Sequence, residues 1–356
     1  MKKLISSGFI FFLFFDGIGQ QKISIDARPA KIWIEQGEDH RYINFDFVVS
    51  NLTNDSLSLS KLAILVFDKN NRLIYTRFID NNGTAPSINL IPNRIIKGQS
   101  TELIFNPFPE FSKAFPLVKL VYEWTFKDNK DNEVKINNQV SPALYLQKPG
   151  YRFPLKGKVL IYDGHDLYAH HRRFDYEFAP IKNLGFHSNF MRYAYDFVLV
   201  DINNNQFTHQ GSDKDYFGWG KPVFAVGDGK VIYVSDTHED DKTFDIPGMT
   251  ANPLELYGNC IAIEHADNSV SVYGHLKHNS CHVKRGQMVK QQQEIASIGV
   301  SGSSFFPHLH FEMRTSISHT AEGIPSYFSN INSLEGGIKR KLKSGLAETG
   351  NIIETE

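Results

Sequence analysis

The sequence has no excess of charge of either sign. Its 38 lysines and arginines are balanced by 39 aspartates and glutamates, a formal net charge of −1 at pH 7. Proteins that bind nucleic acid through their surface field carry a basic patch or a basic overall balance. The composition gives no support to that class of function, and we expect no nucleic-acid partner.

Cysteine is also scarce, with Cys260 and Cys281 the only two in 356 residues. In an oxidising compartment these two could form a disulfide. Two separate buried thiols fit the sequence equally well, so the pairing stays open.

No apolar run near the N-terminus is long enough to cross a bilayer. The run from Leu4 to Phe15 falls short of the roughly 20 residues that a transmembrane helix needs. Two lysines precede it and the small residues Gly17 and Gly19 follow it, which is the pattern of a secretory signal peptide. No cysteine lies nearby to accept a lipid. We expect residues 1–19 to be a signal peptide, the mature chain to have no transmembrane segment, and the protein to be periplasmic or secreted.

Helical periodicity of useful length is lacking between residues 22 and 146. Stretches such as YINFDFVVSN and LVKLVYEWTFKD, rich in β-branched and aromatic residues, are separated by polar turns such as DNNG. This pattern predicts an antiparallel, immunoglobulin-like β-sandwich over 22–146. We see no catalytic constellation there and expect a spacing or binding role. Prolines and a glycine indicate a linker at 147–157.

The chain from residue 158 onward keeps the β pattern, but its loops are longer and richer in histidine and aspartate. We expect an all-β protein in which residues 158–316 form a second domain, with antiparallel strands enclosing a groove. The polar insertion at 236–258 has the length and composition of a loop that walls a binding site. Residues 317–356 are predicted to be an irregular C-terminal tail.

The stretch FFPHLHFEM places two histidines, His308 and His310, one residue apart in a strand pattern. Strand side chains alternate between faces, so both imidazoles should face the same way. Such a pair suits a metal ligand beside a proton-transfer group. By itself the pattern is weak, because the chain contains 14 histidines.

The histidine pair is the last of five sequence blocks that follow one another along the chain: WGKPVFAVGDGKV, GNCIAIEH, SVYGHLKHNS, VKRGQMVKQQQEIASIGVSGSS and PHLHFEM. In this order they resemble the lysostaphin/LytM-type zinc endopeptidases, which cut peptide bonds in bacterial peptidoglycan. The resemblance covers about Tyr193 to Met313 and leaves the predicted sandwich and the tail outside it.

The resemblance implies a zinc ion with Asp196 and His310 among its ligands. It implies catalytic roles for His308 and for His275 of YGHL, which would orient the water, stabilise the oxyanion and pass protons. Zinc in a hydrolase keeps three protein ligands and an open position for water. The implied substrates are peptidoglycan peptides.

The third ligand is the point at which the sequence departs from the common form of the family. A histidine usually stands four residues before the ligand aspartate, and here that position is Arg192. The stretch MRYAYD looks like a branch in which an upstream histidine takes over. We favour His187, because the short SNFM segment lets it fold back to the metal.

Two other histidines, His171 and His170, are rivals for that position. The longer loop after them adds little closure cost. Arg172 and Arg173, however, would place two positive charges beside a cation. These neighbours put His171 and His170 behind His187.

Two functions remain after this comparison. The first is an exported zinc endopeptidase of the cell wall, favoured by the retained Asp196, His275, His308 and His310. The second is a non-catalytic wall-binding regulator that activates other cell-wall hydrolases. The sequence does not identify protein partners.

Overall fold

A computed structural model describes residues 22–148, 150–209 and 211–355. Strands dominate these residues, which contain one short α-helix, α1 (Ala179–Lys182), and four 3-10 turns at Ser87–Leu90, Asp213–Asp215, Gly248–Thr250 and Pro253–Tyr257. The all-β fold class is confirmed. The predicted signal peptide, 1–19, lies outside the described residues, and within them no helix has the length and apolar character to cross a membrane.

Three sheets make up residues 22–146. Their strands are β1 (Ile23–Arg28), β2 (Trp33–Gln36), β3 (His40–Ile43), β4 (Asp46–Asn51), β5 (Leu57–Phe67), β6 (Leu73–Asp80), β7 (Ile95–Ile96), β8 (Ser100–Phe105), β9 (Glu110–Ser112), β10 (Lys119–Lys127), β11 (Glu133–Val140) and β12 (Ala143–Leu144). The sheet orders are β1-β4-β8, β11-β10-β5-β6 and β12-β2-β3-β9, with β7 paired to β5. We refer to them together as the N-terminal sheets.

The N-terminal sheets enclose one apolar core, because their strands alternate buried and solvent-facing residues. In β10 the side chains of Tyr122, Trp124 and Phe126 are fully buried while their neighbours are not. Phe47 of β4 meets Tyr122 and Trp124 at ring-centroid distances of 4.8 Å each. Sheets therefore pack face to face as expected, while the immunoglobulin-like topology stays a prediction.

A ten-stranded antiparallel sheet forms the centre of the rest of the chain. The strands are β13 (Lys158–Asp163), β14 (Tyr195–Leu199), β15 (Pro222–Phe224), β16 (Gly229–Ser235), β17 (Cys260–Glu264), β18 (Val270–Gly274), β19 (Met288–Val289), β20 (Glu294–Ser297), β21 (Leu309–Arg314), β22 (Ile331–Glu335), β23 (Ile338–Lys341) and β24 (Ile352–Thr355). The order is β19-β16-β17-β18-β21-β14-β13-β24-β22-β23, and β15 pairs with β20 in a separate ribbon. We call the large sheet the central sheet.

The segment predicted to be a linker is part of the core beneath the central sheet. Tyr151, Phe153 and Leu155 are almost fully buried, and the Phe153 ring lies 4.4 Å from that of Phe197 in β14. The prediction weighed the prolines and the glycine of this segment. It overlooked the apolar residues at every second position, which are the sign of a chain lying against a core.

The predicted irregular tail is also wrong, because β22, β23 and β24 lie within it. Gly336 and Gly337 have φ values of 57° and 84° and connect β22 to β23 as a tight hairpin turn. A Gly-Gly pair between two strands is a hairpin signal that the prediction passed over. Strand β24 then pairs with β13, which places Ile353 opposite Val159 and completes the sheet.

The two cysteines are separate thiols in the described structure. Cys260 is buried in β17 and Cys281 is partly buried. Burial raises the pKa of both thiols well above the ordinary value. They are therefore neutral core-type side chains near neutral pH.

The N-terminal sheets and the central sheet share buried contacts. A mixed apolar cluster brings Leu103 of β8 together with Phe186 and Phe190, both from the segment before β14. Beside it, Asp46 of β4 faces two fully buried arginines: its carboxylate lies 2.6 Å from Arg172 and 2.6 Å from Arg192. The two parts are thus joined by a desolvated ion cluster as well as by apolar packing.

Glu322 completes this ion cluster from the other side. Its carboxylate lies 4.0 Å from a guanidinium nitrogen of Arg192. Burial raises the pKa of Glu322 to about 7, and the attraction of Arg192 opposes that rise only in part. The folded chain therefore keeps a proton on Glu322 between its ordinary value of 4.5 and about 7, whereas the unfolded chain releases it.

This proton makes the stability of the protein depend on pH in a defined direction. A raised carboxyl pKa stabilises the fold below the unfolded value and loses that contribution as the pH rises through the folded value. Glutamine does not titrate, so Glu322→Gln should not lose stability in this way as the pH rises. Its free energy of unfolding, relative to that of the wild type, should therefore increase by on the order of 1–3 kcal/mol between pH 4.5 and 8. Urea unfolding of both proteins across this range measures the difference. A constant difference would contradict the assignment.

Candidate metal centre

Strand pairing brings Asp196 and His310 side by side. They are direct partners in the antiparallel pair of β14 and β21, so their side chains share one face of the central sheet. His310 Nδ1 lies 3.3 Å from Asp196 Oδ1. Asp163, at the end of β13, is the register partner of Asp196 on the other side. Three neighbouring strands thus present polar side chains at one spot.

His308 also reaches this spot, as the alternation of strand side chains predicted. Its Nε2 lies 3.2 Å from Asp196 Oδ1, and its Nδ1 donates to the backbone oxygen of Phe306 at 2.7 Å. Burial alone would lower the pKa of His308, but the Asp196 carboxylate raises it above the ordinary value. His308 Nε2 is therefore directed at the Asp196 carboxylate, which favours the protonated ring.

His275 lies next to His308, with ring centroids 4.9 Å apart. It follows β18 directly and has a φ of 57°, a left-handed conformation that is uncommon outside glycine and occurs at functional sites. Its Nδ1 donates to the Ser301 oxygen at 2.8 Å, which leaves Nε2 as an acceptor. Burial, helped by the His308 and His310 rings, holds the pKa of His275 well below its ordinary value.

His171 enters the cluster from the loop that follows β13. Its Nε2 lies 3.7 Å from Asp196 Oδ1, and its ring centroid is 4.7 Å from that of His310. Its Nδ1 lies 3.1 Å from Asp163 Oδ2, and Asn189 donates to its backbone oxygen at 3.2 Å. The ring is therefore oriented by a carboxylate behind it and faces Asp196 in front.

His170 borders the same place but is mostly solvent-exposed. It contacts Asp163 at 2.8 Å through Nδ1 and Asp196 at 3.8 Å through Nε2. Asp163, His170, His171 and Asp196 offer ligand atoms that all lie within 4.8 Å of one another. Burial raises the pKa of Asp163, and the hydrogen bonds from His170 and His171 outweigh it, so that it settles at about 2.

Among the described residues, four buried atoms here have no hydrogen-bond partner: His171 Nδ1, Asp196 Oδ1 and both ring nitrogens of His310. Burial lowers the pKa of His310 to about 3, so its ring is neutral near pH 7 and offers a lone pair. The neighbouring rings of His171 and His308 overcome the effect of burial and hold the pKa of Asp196 well below its ordinary value. Unpartnered buried polar atoms are costly, and one carboxylate with two imidazoles is a donor set that suits zinc. The residues present fit the metal implied by the resemblance.

His187 is not brought to this cluster. Its side chain is exposed, and among the described residues it is not one of the histidines within ion-pairing distance of Asp196. Its neighbours Phe186 and Phe190 stack at 5.2 Å inside the mixed apolar cluster. This packing anchors the segment and turns His187 towards solvent. The placement corrects our preference for His187 and favours its rival His171.

The charge argument against His171 also fails in the structure. Arg172 points away from the metal side and is neutralised by Asp46 at 2.6 Å. The guanidinium of Arg173 lies 5.8 Å from the ring centroid of Phe105. Sequence neighbours thus need not share an environment, and Asp46, distant in sequence, removes the repulsion.

The sequence also missed residues that shape the site, among them Asp163, Asn189 and Tyr257. The ring of Tyr257 stacks on His310 at 4.5 Å, and its backbone oxygen accepts from the His275 N–H at 3.0 Å. Asp163 could have been found, because it ends the apolar strand KVLIYD just ahead of the two histidines. Asn189 and Tyr257 carry no comparable signal.

Part of the chain is similar to known proteins. Residues 208–322 match the sequence model of Peptidase family M23. The chain is 39% identical over 94 residues to peptidoglycan DD-endopeptidase ShyB of Vibrio cholerae, covering 26% of this chain and 18% of that protein. It is 35% identical over 95 residues to murein hydrolase activator NlpD of Escherichia coli, covering 27% and 20%.

A further relative is matched over most of its own length. Lipoprotein NlpD of Yersinia enterocolitica is 35% identical over 95 residues, which is 27% of this chain and 78% of that protein. By contrast, the chain spans only 13% to 30% of the length of several other curated relatives. The residues that match the family model, 208–322, include His275, His308 and His310. The resemblance seen in the sequence blocks is confirmed, and the chain belongs to Peptidase family M23.

Proposed function

We propose that the protein is an exported, zinc-dependent endopeptidase that hydrolyses peptide bonds in bacterial peptidoglycan. The observation that carries the proposal is the convergence of His171, Asp196 and His310 beside the pair His275 and His308. The family and the name of the Vibrio relative support the substrate class. Export rests on the predicted signal peptide.

In this proposal Asp196, His171 and His310 hold the metal. A zinc ion with three protein ligands lowers the pKa of a bound water and polarises a substrate carbonyl. Asp163 lies behind His171, with its Oδ2 at 3.1 Å from Nδ1, and in that place it favours the tautomer in which Nε2 offers its lone pair. His310 needs no such partner to be neutral, because burial already keeps it so.

His275 is the proton acceptor of the pair. Its Nδ1–H is committed to Ser301, so the free lone pair is on Nε2. The left-handed backbone at His275 and the bond from its N–H to Tyr257 fix the ring in this place. A positioned acceptor within the groove can take the proton that the attacking water gives up.

His308 is the donor of the pair. Its Nδ1–H is held by Phe306, so a second proton taken up by the ring is carried by Nε2, which faces the site. An N–H in this position can stabilise the oxyanion that develops on the substrate carbonyl and then protonate the departing amine. An acceptor and a donor thus lie side by side, as a hydrolysis that removes and returns a proton requires.

A second function is supported by one comparison. The Escherichia coli relative is named as a murein hydrolase activator. A chain of the same family that binds the wall and activates another hydrolase would need the groove but not the proton-transfer pair. This regulator is the alternative to the endopeptidase.

The ligand set is tested by metal content. The wild type should hold about one zinc per chain, and Asp196→Ala, His171→Ala and His310→Ala should each lose it on dialysis, because two protein ligands make an incomplete site. His187→Ala and His170→Ala are matched controls and should keep the metal. Elemental analysis of the dialysed proteins gives the answer. Full occupancy in His171→Ala would refute its assignment as a ligand.

The proton-transfer pair is tested by activity at constant metal content. His275→Ala and His308→Ala should retain zinc and slow hydrolysis by about 10²–10⁴-fold, the usual cost of losing a positioned proton-transfer group. The exposed His282→Ala should act like the wild type. New amino termini released from purified peptidoglycan are counted for each protein.

Two outcomes of this assay would change the conclusion. Unchanged release by both variants would mean that neither histidine does chemistry. No release by the zinc-loaded wild type, together with faster release by a second purified wall hydrolase in its presence, would replace the endopeptidase with the activator.

A further inference from the structure

We infer that the N-terminal sheets hold the metal ligand His171 in position, and that Arg172, which is bound to Asn44, Phe45 and Asp46, is the positioning residue through which they do so. The inference rests on the proposed zinc function. It gives residues 22–146 a role at the catalytic site in place of spacing alone. It also accounts for the arginine at position 192, where the common form of the family has a histidine.

Arg172, the residue after His171, is fully buried and bound by three consecutive residues where β3 is connected to β4. Its Nη1 donates to Asp46 Oδ1 at 2.6 Å, its Nη2 to the Phe45 oxygen at 2.6 Å, and its Nε to Asn44 Oδ1 at 3.2 Å. A guanidinium that donates from all three nitrogens has one orientation. Because adjacent Cα atoms are about 3.8 Å apart, fixing Arg172 fixes the backbone of His171.

The beginning of the same loop has a second anchor on the N-terminal sheets. His165 Nδ1 lies 2.7 Å from Glu35 Oε1, and its Nε2 lies 2.9 Å from the Tyr193 oxygen. Glu35 is fully buried and also accepts from Asn44 at 2.9 Å. Asn44 therefore links the two anchors, since it touches both Glu35 and Arg172.

Between these anchors the chain has turns and bends but no strand or helix. Asp163, at the end of β13, and Asn189, in the segment before β14, contact His171 directly. Such a loop has no ladder of backbone hydrogen bonds, so its order depends on side-chain anchors at its ends. The N-terminal sheets supply two of them.

Arg192 binds the same carboxylate from the opposite side, at 2.6 Å from Asp46 Oδ2. Arg192 stands where the common form of the family has a histidine. In the proposed site the ligand is instead His171, the residue before Arg172. Asp46 neutralises both guanidiniums, so removing Asp46 would leave two buried cations and endanger the fold itself. A test of positioning must therefore remove one arginine at a time.

Arg172→Met and Arg192→Met form a matched pair. Each removes one fully buried guanidinium from Asp46 and leaves the carboxylate paired with the other. Only Arg172 is bonded to a metal ligand along the chain. Zinc affinity is measured by chelator competition, and hydrogen exchange of residues 164–173 is measured in the metal-free proteins, with thermal unfolding as the check on folding.

Arg172→Met should weaken zinc binding by about 10–100-fold, the usual effect of losing a partner that orients a ligand. It should also speed exchange in residues 164–173. Arg192→Met should leave the zinc affinity and this exchange unchanged. Equal zinc affinity in wild type and Arg172→Met, or equal weakening in both variants, would overturn the inference alone. A wild type that binds no zinc would instead overturn the proposed function.

Discussion

One buried carboxylate organises the site. Asp196 lies within 3.2–3.7 Å of the rings of His308, His310 and His171, and it is almost inaccessible to solvent. An isolated buried charge is costly, and its neighbours must supply compensating positive charge or hydrogen bonds. In the metal-free chain the neighbouring histidines stabilise the Asp196 carboxylate, and they hold its pKa well below the ordinary value. A divalent cation bound at the same oxygen would meet the same requirement and release His308 to face the substrate.

The rest of the architecture places groups around this carboxylate. The register of β14 with β21 puts His310 opposite it, and the end of β18 brings His275 beside them. These are short-range consequences of strand pairing in the central sheet. The remaining ligand comes from an irregular loop, and that loop is anchored on different sheets through Arg172. The regular part of the site is thus intrinsic to one sheet, while its irregular part depends on contacts between two parts of the chain.

This division explains how much could be predicted from the sequence. The two-residue alternation of FFPHLHFEM placed His308 and His310 on one face, and the resemblance of the sequence blocks implied Asp196 and His310 as ligands. The same alternation should have revealed the buried segment from Tyr151 to Leu155, and Gly336-Gly337 the hairpin in the tail. His171 was a different case. The next residue, Arg172, is neutralised by Asp46, which lies more than a hundred positions away in the sequence. The local sequence pattern holds no information about such a contact.

Zinc-edge anomalous diffraction from crystals of the zinc-loaded protein tests this account most directly. The account predicts one strong peak per chain at about 2.0–2.2 Å from an oxygen of Asp196 and from one ring nitrogen each of His171 and His310. A peak ligated by Asp163 and His170 without His310, or one that includes His187, would contradict it.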